Sequence, residues 1–160
     1  MRIAVFFTLF VGVVVSAFSA PEYPNMGPDI FDPHEKAEKL IDVAVTKATR
    51  EHKRVLLLFG ANWCPWCRRL HRALDSNRVT GLLKKNFVLV LVDANSRNDK
   101  DRNSGVIERY GNPLQYGLPV FVVLDSKGKQ LTTKETASLA ANTDAEEAER
   151  VVVFLDQWAR

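Results

Sequence analysis

The chain has 160 residues, 46% of them hydrophobic, and carries 22 basic against 19 acidic side chains for a net charge of +3. That is enough for one domain with a real core. A charge so nearly balanced gives no ground for nucleic-acid binding, and the short basic pairs Arg68-Arg69 and Lys84-Lys85 read as solvated helix faces.

The first residues read as an address. Arg2 gives a positive start, Ile3 to Phe18 is apolar but for Thr8, Gly12 and Ser16, and Ala17-Phe18-Ser19 puts small residues at the two positions a signal peptidase reads. A signal peptide over residues 1–19, cut after Ser19, is therefore predicted. Its rival is an uncleaved anchor, but the apolar run is shorter than the roughly 20 residues a spanning helix needs. Export would place the chain in the periplasm or outside the cell, where a disulfide persists.

Residues 20–32 are predicted as an extended N-terminal segment and 33–160 as a single domain. Asp32-Pro33-His34-Glu35 reads as a helix start, with Asp32 as N-cap and Glu35 three residues later. Ala37, Leu40, Ile41, Ala44, Val45 and Ala48 follow at helical spacing, ending near Arg50. Val55–Phe59 is a buried strand, Arg68–Leu74 a helix, and Asn77 caps a further turn or a continuation through Leu83. Phe87–Val92 is an uninterrupted apolar strand, expected to be covered on both faces. The stretch 94–103 is loop-like, with a short helix around Val106–Tyr110 and a second loop to Gly117. Pro119–Leu124 is a buried strand, Asp125–Lys129 a turn and Gln130–Thr133 its hairpin partner. Thr143 and Glu146 form a capping box for a last helix that buries Ala148, Val151, Val152, Leu155 and Trp158. Helices between strands require parallel pairing, with an antiparallel edge from the last two strands. The expected fold class is α/β: a central mixed sheet with helices on both faces and a C-terminal β-hairpin plus helix. Active groups should then collect at the carboxyl ends of the parallel strands.

Trp63-Cys64-Pro65-Trp66-Cys67 holds the only two cysteines of the chain. Two thiols at this spacing, after a buried strand and at a helix start, make a dithiol redox site. Unpaired N–H groups and the positive end of the helix dipole stabilise a thiolate there, which should lower the pKa of Cys64, with Arg68 and Arg69 adding to it. The thiolate attacks a disulfide, and a second thiol one turn on resolves the mixed disulfide. A purely structural bridge explains the spacing less well, because so small a loop constrains the unfolded chain little. Trp63 and Trp66 are expected to form an apolar rim that contacts substrate. His71 lies four residues after Cys67 and reads as a helix-surface histidine; as a third ligand beside both cysteines it would still lack a fourth. A c-type haem site would need His directly after Cys67, where Arg68 stands. Asp93 ends a strand towards the active end, with loop capping as its plainest role. Neither a metal nor another cofactor is expected.

With Trp63-Cys64-x-x-Cys67 after a buried strand, Leu118-Pro119 opening a later strand, and a closing hairpin and helix, the chain resembles the thioredoxin superfamily. More closely, it is similar to the exported bacterial thioredoxin-like proteins. The resemblance covers roughly Val55 to the C-terminus together with the first helix, and it implies the thioredoxin fold. Cys64 would be the exposed nucleophile and Cys67 the buried resolving thiol. Pro119 would be cis and next to the cysteines, with Leu118 offering backbone groups to an extended substrate strand. Two departures stand out. Thioredoxins carry a buried Asp six residues before the first cysteine, where Leu58 stands here, and its Lys partner would fall at about Leu89. The 94–116 stretch is also longer than in a minimal thioredoxin, forming a substrate-facing lid or surface loops.

These readings give an exported thiol–disulfide oxidoreductase that acts on protein or peptide disulfides, as reductase rather than oxidase. It is expected to be a monomer with a membrane-bound redox partner. The alternative is a binding module with a static disulfide, motivated by Leu58 and the long 94–117 segment. A weaker third is a metal chaperone using Cys64, Cys67 and His71.

Overall fold

The computed structural model describes residues 26–94 and 102–159. The predicted signal peptide, the start of the lead-in and the middle of the 94–103 loop lie outside these residues. Among the described residues, no helix is long and apolar enough to cross a membrane.

The sheet has four strands: β1 (Arg54–Gly60), β2 (Phe87–Asp93), β3 (Val120–Leu124) and β4 (Gln130–Glu135), in the order β2-β1-β3-β4. Helices are α1 (Ala37–Glu51), α2 (Pro65–Leu74), α3 (Asn77–Asn86), α4 (Ser104–Arg109) and α5 (Asp144–Gln157), with 3-10 turns at Pro113–Tyr116 and Ala137–Leu139. Alternation along the strands divides the core in two. Leu56, Leu58, Phe121 and Val123 face α2, α3 and α5, whereas Val55, Leu57, Phe59, Val120 and Val122 face α1 and α4. The mixed sheet with helices on both faces and a closing hairpin and helix is the expected α/β architecture.

One strand direction corrects the sequence reading. β1 and β2 are parallel, but β3 runs antiparallel to β1, with Phe59 opposite Val120. A parallel β3 would need a helix long enough to carry the chain back along the sheet. The connection instead stays at the end where β2 finishes, which is why the six residues of α4 and a 3-10 turn suffice. β2 is an edge strand, so Val88, Leu89 and Leu91 are only half-buried and the expected cover on both faces is partial.

The start of α1 also differs from its sequence signal. Asp32 does not cap it: its Oδ1 accepts from His34 N at 2.8 Å, and the cap position falls at Lys36, which makes no side-chain bond. The Arg102 guanidinium donates to the carbonyls of Asp32 and Glu35, holding that stretch outside the helix. Asn103 caps α1 from across the fold, its Oδ1 accepting from Ala37 N at 3.0 Å while its Nδ2 donates to Asp93 O at 2.8 Å. Asp93 itself is buried and paired with Arg102 Nε at 3.0 Å. At α5 the expected cap is present, Thr143 Oγ1 accepting from Glu146 N at 3.2 Å. Phe154 joins the buried face of that helix and stacks on Phe121 with ring centroids 5.8 Å apart. Trp158 is half-buried beneath the Arg54 guanidinium.

The lead-in contributes to the core through Phe31, which is fully buried against β1. Its ring lies directly over Gly60: a Cβ there would come within 2.8 and 2.9 Å of the ring Cε atoms and closer still to Cζ. Gly60→Ala is therefore expected to destabilise the protein by about 1–3 kcal/mol through overpacking. Denaturant unfolding checks this, and pairing the change with Phe31→Leu should recover part of the loss; equal costs with and without Phe31 would refute the contact.

Candidate active site

β1 ends at Gly60 and a tight turn carries the chain to Cys64, whose N–H donates to Ala61 O at 3.1 Å. Cys64 is the N-cap of α2, with extended backbone (φ −87°, ψ 113°), and Pro65 occupies the first helical turn. A proline there gives up an N–H that the helix does not need. The Cys64 Sγ takes the place of the usual capping oxygen, accepting from Cys67 N at 3.1 Å. Negative charge on that sulfur would be stabilised by this amide and by the helix N-terminus. The two sulfurs meet as a disulfide pair, with Cα atoms 5.3 Å apart. Cys67 is fully buried, and Cys64, expected as the exposed member, is only 4% accessible.

The antiparallel β3 brings its entry to the same place. The Leu118-Pro119 peptide is cis, as the resemblance implied, and Leu118 O lies 3.9 Å from Cys64 Sγ. Thr136 Oγ1 donates to Pro119 O, tying this loop to the end of β4. Trp66 is 57% exposed at the rim and Trp63 is half-buried. Tyr116, 55% exposed, completes the rim and was missed by sequence reasoning; its place two residues before Leu118 was the available signal. Between them opens a cleft of about 260 Å³ lined by Trp66, Tyr116, Leu118 and Pro119 on one side and by the β4–α5 region on the other. Glu135 borders that region. Hydrogen bonds from the Ser138 hydroxyl and backbone hold its carboxyl below the usual carboxylate range, outweighing desolvation and aided by Lys134.

Beneath the cysteines the layer is apolar. Leu58 is fully buried, opposite Leu91 on β2 and Phe121 on β3, while Leu89 lies opposite Leu56. The buried carboxylates among the described residues are Asp93, paired with Arg102, and Glu147, paired with Arg69 Nε at 2.6 Å.

The two arginines after the motif bond to groups other than the sulfurs. Arg68 donates from Nε to Asn62 O at 3.0 Å and from its terminal nitrogens to Pro28 O at 2.9 Å and Gly27 O at 3.3 Å. Arg69 turns to Glu147 and the Ala141 carbonyl and lies over the Trp66 ring. His71 Nδ1 sits 3.4 Å from Asp75 Oδ2 along the same helix. Among the described residues no three His, Cys, Asp or Glu side chains come together as metal ligands.

Asn62 is the other residue the sequence did not disclose. Its Oδ1 accepts from Ile30 N and Phe31 N, each at 2.9 Å, and its Nδ2 donates to Phe31 O at 2.8 Å. The side chain thus acts as one rung of a sheet edge and pins the lead-in beside the cysteine turn.

The fold and this cysteine pair are those of the thioredoxin-like disulfide oxidoreductases. Residues 36–126 match a family model described as Thioredoxin-like, and the chain belongs to that family. The crystal structure of a disulphide isomerase from Xylella fastidiosa Temecula1 is 32% identical, with a TM-score of 0.68 over 81% of this chain and 95% of that one. A DsbH oxidoreductase structure shares the fold at 20% identity, with a TM-score of 0.52 over 86% of this chain and 95% of the other. Spermatogenesis-associated protein 20 of Rattus norvegicus is 38% identical over 60 residues, 37% of this chain but only 8% of that protein's length.

Removing the Asn62 rung should loosen the wall of the site. Asn62→Ala is expected to cost about 2–3 kcal/mol, since it leaves backbone groups of Ile30 and Phe31 without partners. Hydrogen exchange at those two amides should rise ahead of global unfolding, and protection unchanged from the parent protein would contradict the assignment.

Proposed function

We propose that the protein is an exported thiol–disulfide oxidoreductase that reduces protein or peptide disulfides. The observation that carries this reading is the Cys64 sulfur, placed at the start of α2 with the Cys67 amide 3.1 Å away and Leu118 O beside it. In the reduced form the Cys64 thiolate attacks one substrate sulfur. The substrate S–S bond breaks, a mixed disulfide forms, and the other substrate sulfur departs as a thiolate and takes up a proton. The Cys67 sulfur then attacks Cys64 Sγ, which releases the second substrate thiol and leaves the Cys64–Cys67 disulfide. Pro119, Leu118, Trp63 and Trp66 are the substrate-contacting groups, the Leu118 backbone pairing with an extended strand.

Each round passes two electrons to the substrate, so a dithiol donor must restore the reduced form. For an exported protein that donor is a membrane-bound partner. The apolar run Ile3–Phe18 behind Arg2 and the small residues at Ala17 and Ser19 support export. Similarity to a protein named as a disulphide isomerase favours a dithiol working form, because isomerisation also begins with thiolate attack.

A second reading has one observation in its favour. Leu58 leaves an apolar layer where a buried acid would handle the Cys67 proton, as expected of a binding module with a static disulfide. Two measurements separate the readings. Cys64→Ser should abolish reduction of insulin, and Cys67→Ser should accumulate covalent adducts in cell extracts; a full-rate Cys64→Ser protein or a Cys67→Ser protein free of adducts refutes the catalytic reading. Equilibration with glutathione should give a potential near −270 mV, roughly that of thioredoxin, whereas a value near roughly −120 mV would reverse the direction of electron flow. A pair that resists reduction would establish the binding module.

A further inference from the structure

Pairing of a substrate strand with the Leu118 backbone uses only one side of the cleft beside the cysteines. The far side is built by the turn between β4 and α5 and by α5 itself, through Ala137, Ala140 and Glu147, with Leu70 of α2 between. The cleft as a whole, Leu118 and Pro119 included, measures about 260 Å³, so the recess on its far side has room for a side chain and not for a length of backbone. Its rim offers ring faces from Trp66 and Tyr116, both more than half exposed. Its floor carries a carboxylate, since Glu147 lines the recess although it is only 3% accessible.

That carboxylate is held in place. Arg69 Nε binds Glu147 Oε2 at 2.6 Å, and the same guanidinium lies 5.8 Å from the centre of the Trp66 ring. Trp66, Arg69 and Glu147 therefore form one unit, fixing the wall of the recess against its floor. Because Arg69 already balances the charge, a second cation would meet an arginine beside its counter-ion. A neutral hydrogen-bond donor at the tip of an apolar body meets no such opposition. Rings suit the walls, since aromatic groups pack edge-to-face or offset against the exposed faces of Trp66 and Tyr116.

We propose that this recess is a specificity pocket that takes one aromatic side chain next to the substrate's disulfide-forming cysteine, and that Glu147 ranks tyrosine above phenylalanine. The proposal rests on the oxidoreductase reading and names the substrate class of the same site. Glu147 does not touch the reacting sulfurs. It acts on which substrate is held, so its effect falls on kcat/KM ratios between substrates.

The test uses the full chain, reduced, against peptide disulfides identical except for one residue, placed before the cysteine in one series and after it in another. That residue is Ala, Leu, Phe, Tyr or Lys. In at least one series the Phe peptide should exceed the Ala peptide by about tenfold or more in kcat/KM, with Tyr a further few-fold higher. Ala140→Phe, which fills the recess, should bring the Phe-to-Ala ratio towards one. Ala137→Trp does the same from a different backbone position, should the first variant melt early. Glu147→Gln should shrink the Tyr-to-Phe ratio and spare the Phe-to-Ala ratio, which loss of structure would not do. Equal rates for all five peptides in both series overturn the pocket and leave the oxidoreductase reading intact. A Lys peptide that outruns Phe overturns it in favour of a cation site. Turnover of none of the peptides, nor of insulin, removes the oxidoreductase reading and the pocket with it.

Discussion

Because β3 runs antiparallel to β1, with Val120 opposite Phe59, the chain enters β3 at the end of the sheet where it leaves β1. Everything at the site follows from that geometry. The exit of β1 leads through Gly60 and Asn62 to Cys64, and the entry of β3 is Leu118-Pro119. Neighbouring strands lie only about 4.8 Å apart, so the two segments have no room to separate. The 3.9 Å approach of Leu118 O to Cys64 Sγ is the local result of strand register, although the residues are 54 positions apart in sequence.

Charged groups around the cysteines serve mainly to hold the frame. Arg68 and Asn62 together bind the backbone of Gly27, Pro28, Ile30 and Phe31, so the lead-in forms one wall of the cysteine turn. Arg102 and Asn103 do the same at the neighbouring corner, joining the start of α1 to the end of β2. In both places a side chain satisfies backbone groups that no regular element reaches, which is what allows irregular segments to be packed at all. At the sulfur itself the structure supplies the Cys67 amide, which donates to Cys64 Sγ at 3.1 Å at the start of α2.

Much of this was legible in the sequence. The strands Val55–Phe59 and Phe87–Val92 stand out as apolar runs, and Cys64-Pro65-Trp66-Cys67 marks its own helix start, because each is a local pattern of residue type. Strand direction was not legible: an intervening helix suggests a parallel return, and only the shortness of α4 argued otherwise. The Asp32 cap failed for a related reason. A capping box is a local signal, and here it lost to Arg102 and Asn103, about 70 residues away, which compete for the same backbone. Asn62 and Glu147 were invisible for the same cause, since nothing about an isolated asparagine or glutamate states which distant backbone or cleft it will meet. By contrast, Leu58 six positions before Cys64 is visible in the sequence alone, and the structure buries it among apolar neighbours.

Leu58 shapes the chemistry proposed for Cys67. A thiolate formed on a fully buried sulfur, above Leu58 and Phe121, would be an uncompensated charge in an apolar layer, and such charges are costly. The second step therefore cannot wait on a standing Cys67 thiolate drawn out by an acid–base partner below it. In the proposed reaction its proton would leave as the bond forms and pass to the departing substrate sulfur on the cleft side, the group that gains charge at that moment. In that proposed reaction an apolar floor would move control of the resolving step from the interior of the protein to the substrate. What occupies the cleft, how firmly it is held and how well its sulfur bears charge then matter more than any group beneath the sheet. The carboxylate that the structure does bury near this site, Glu147, lies on the cleft side, where it bears on the substrate rather than on the cysteines.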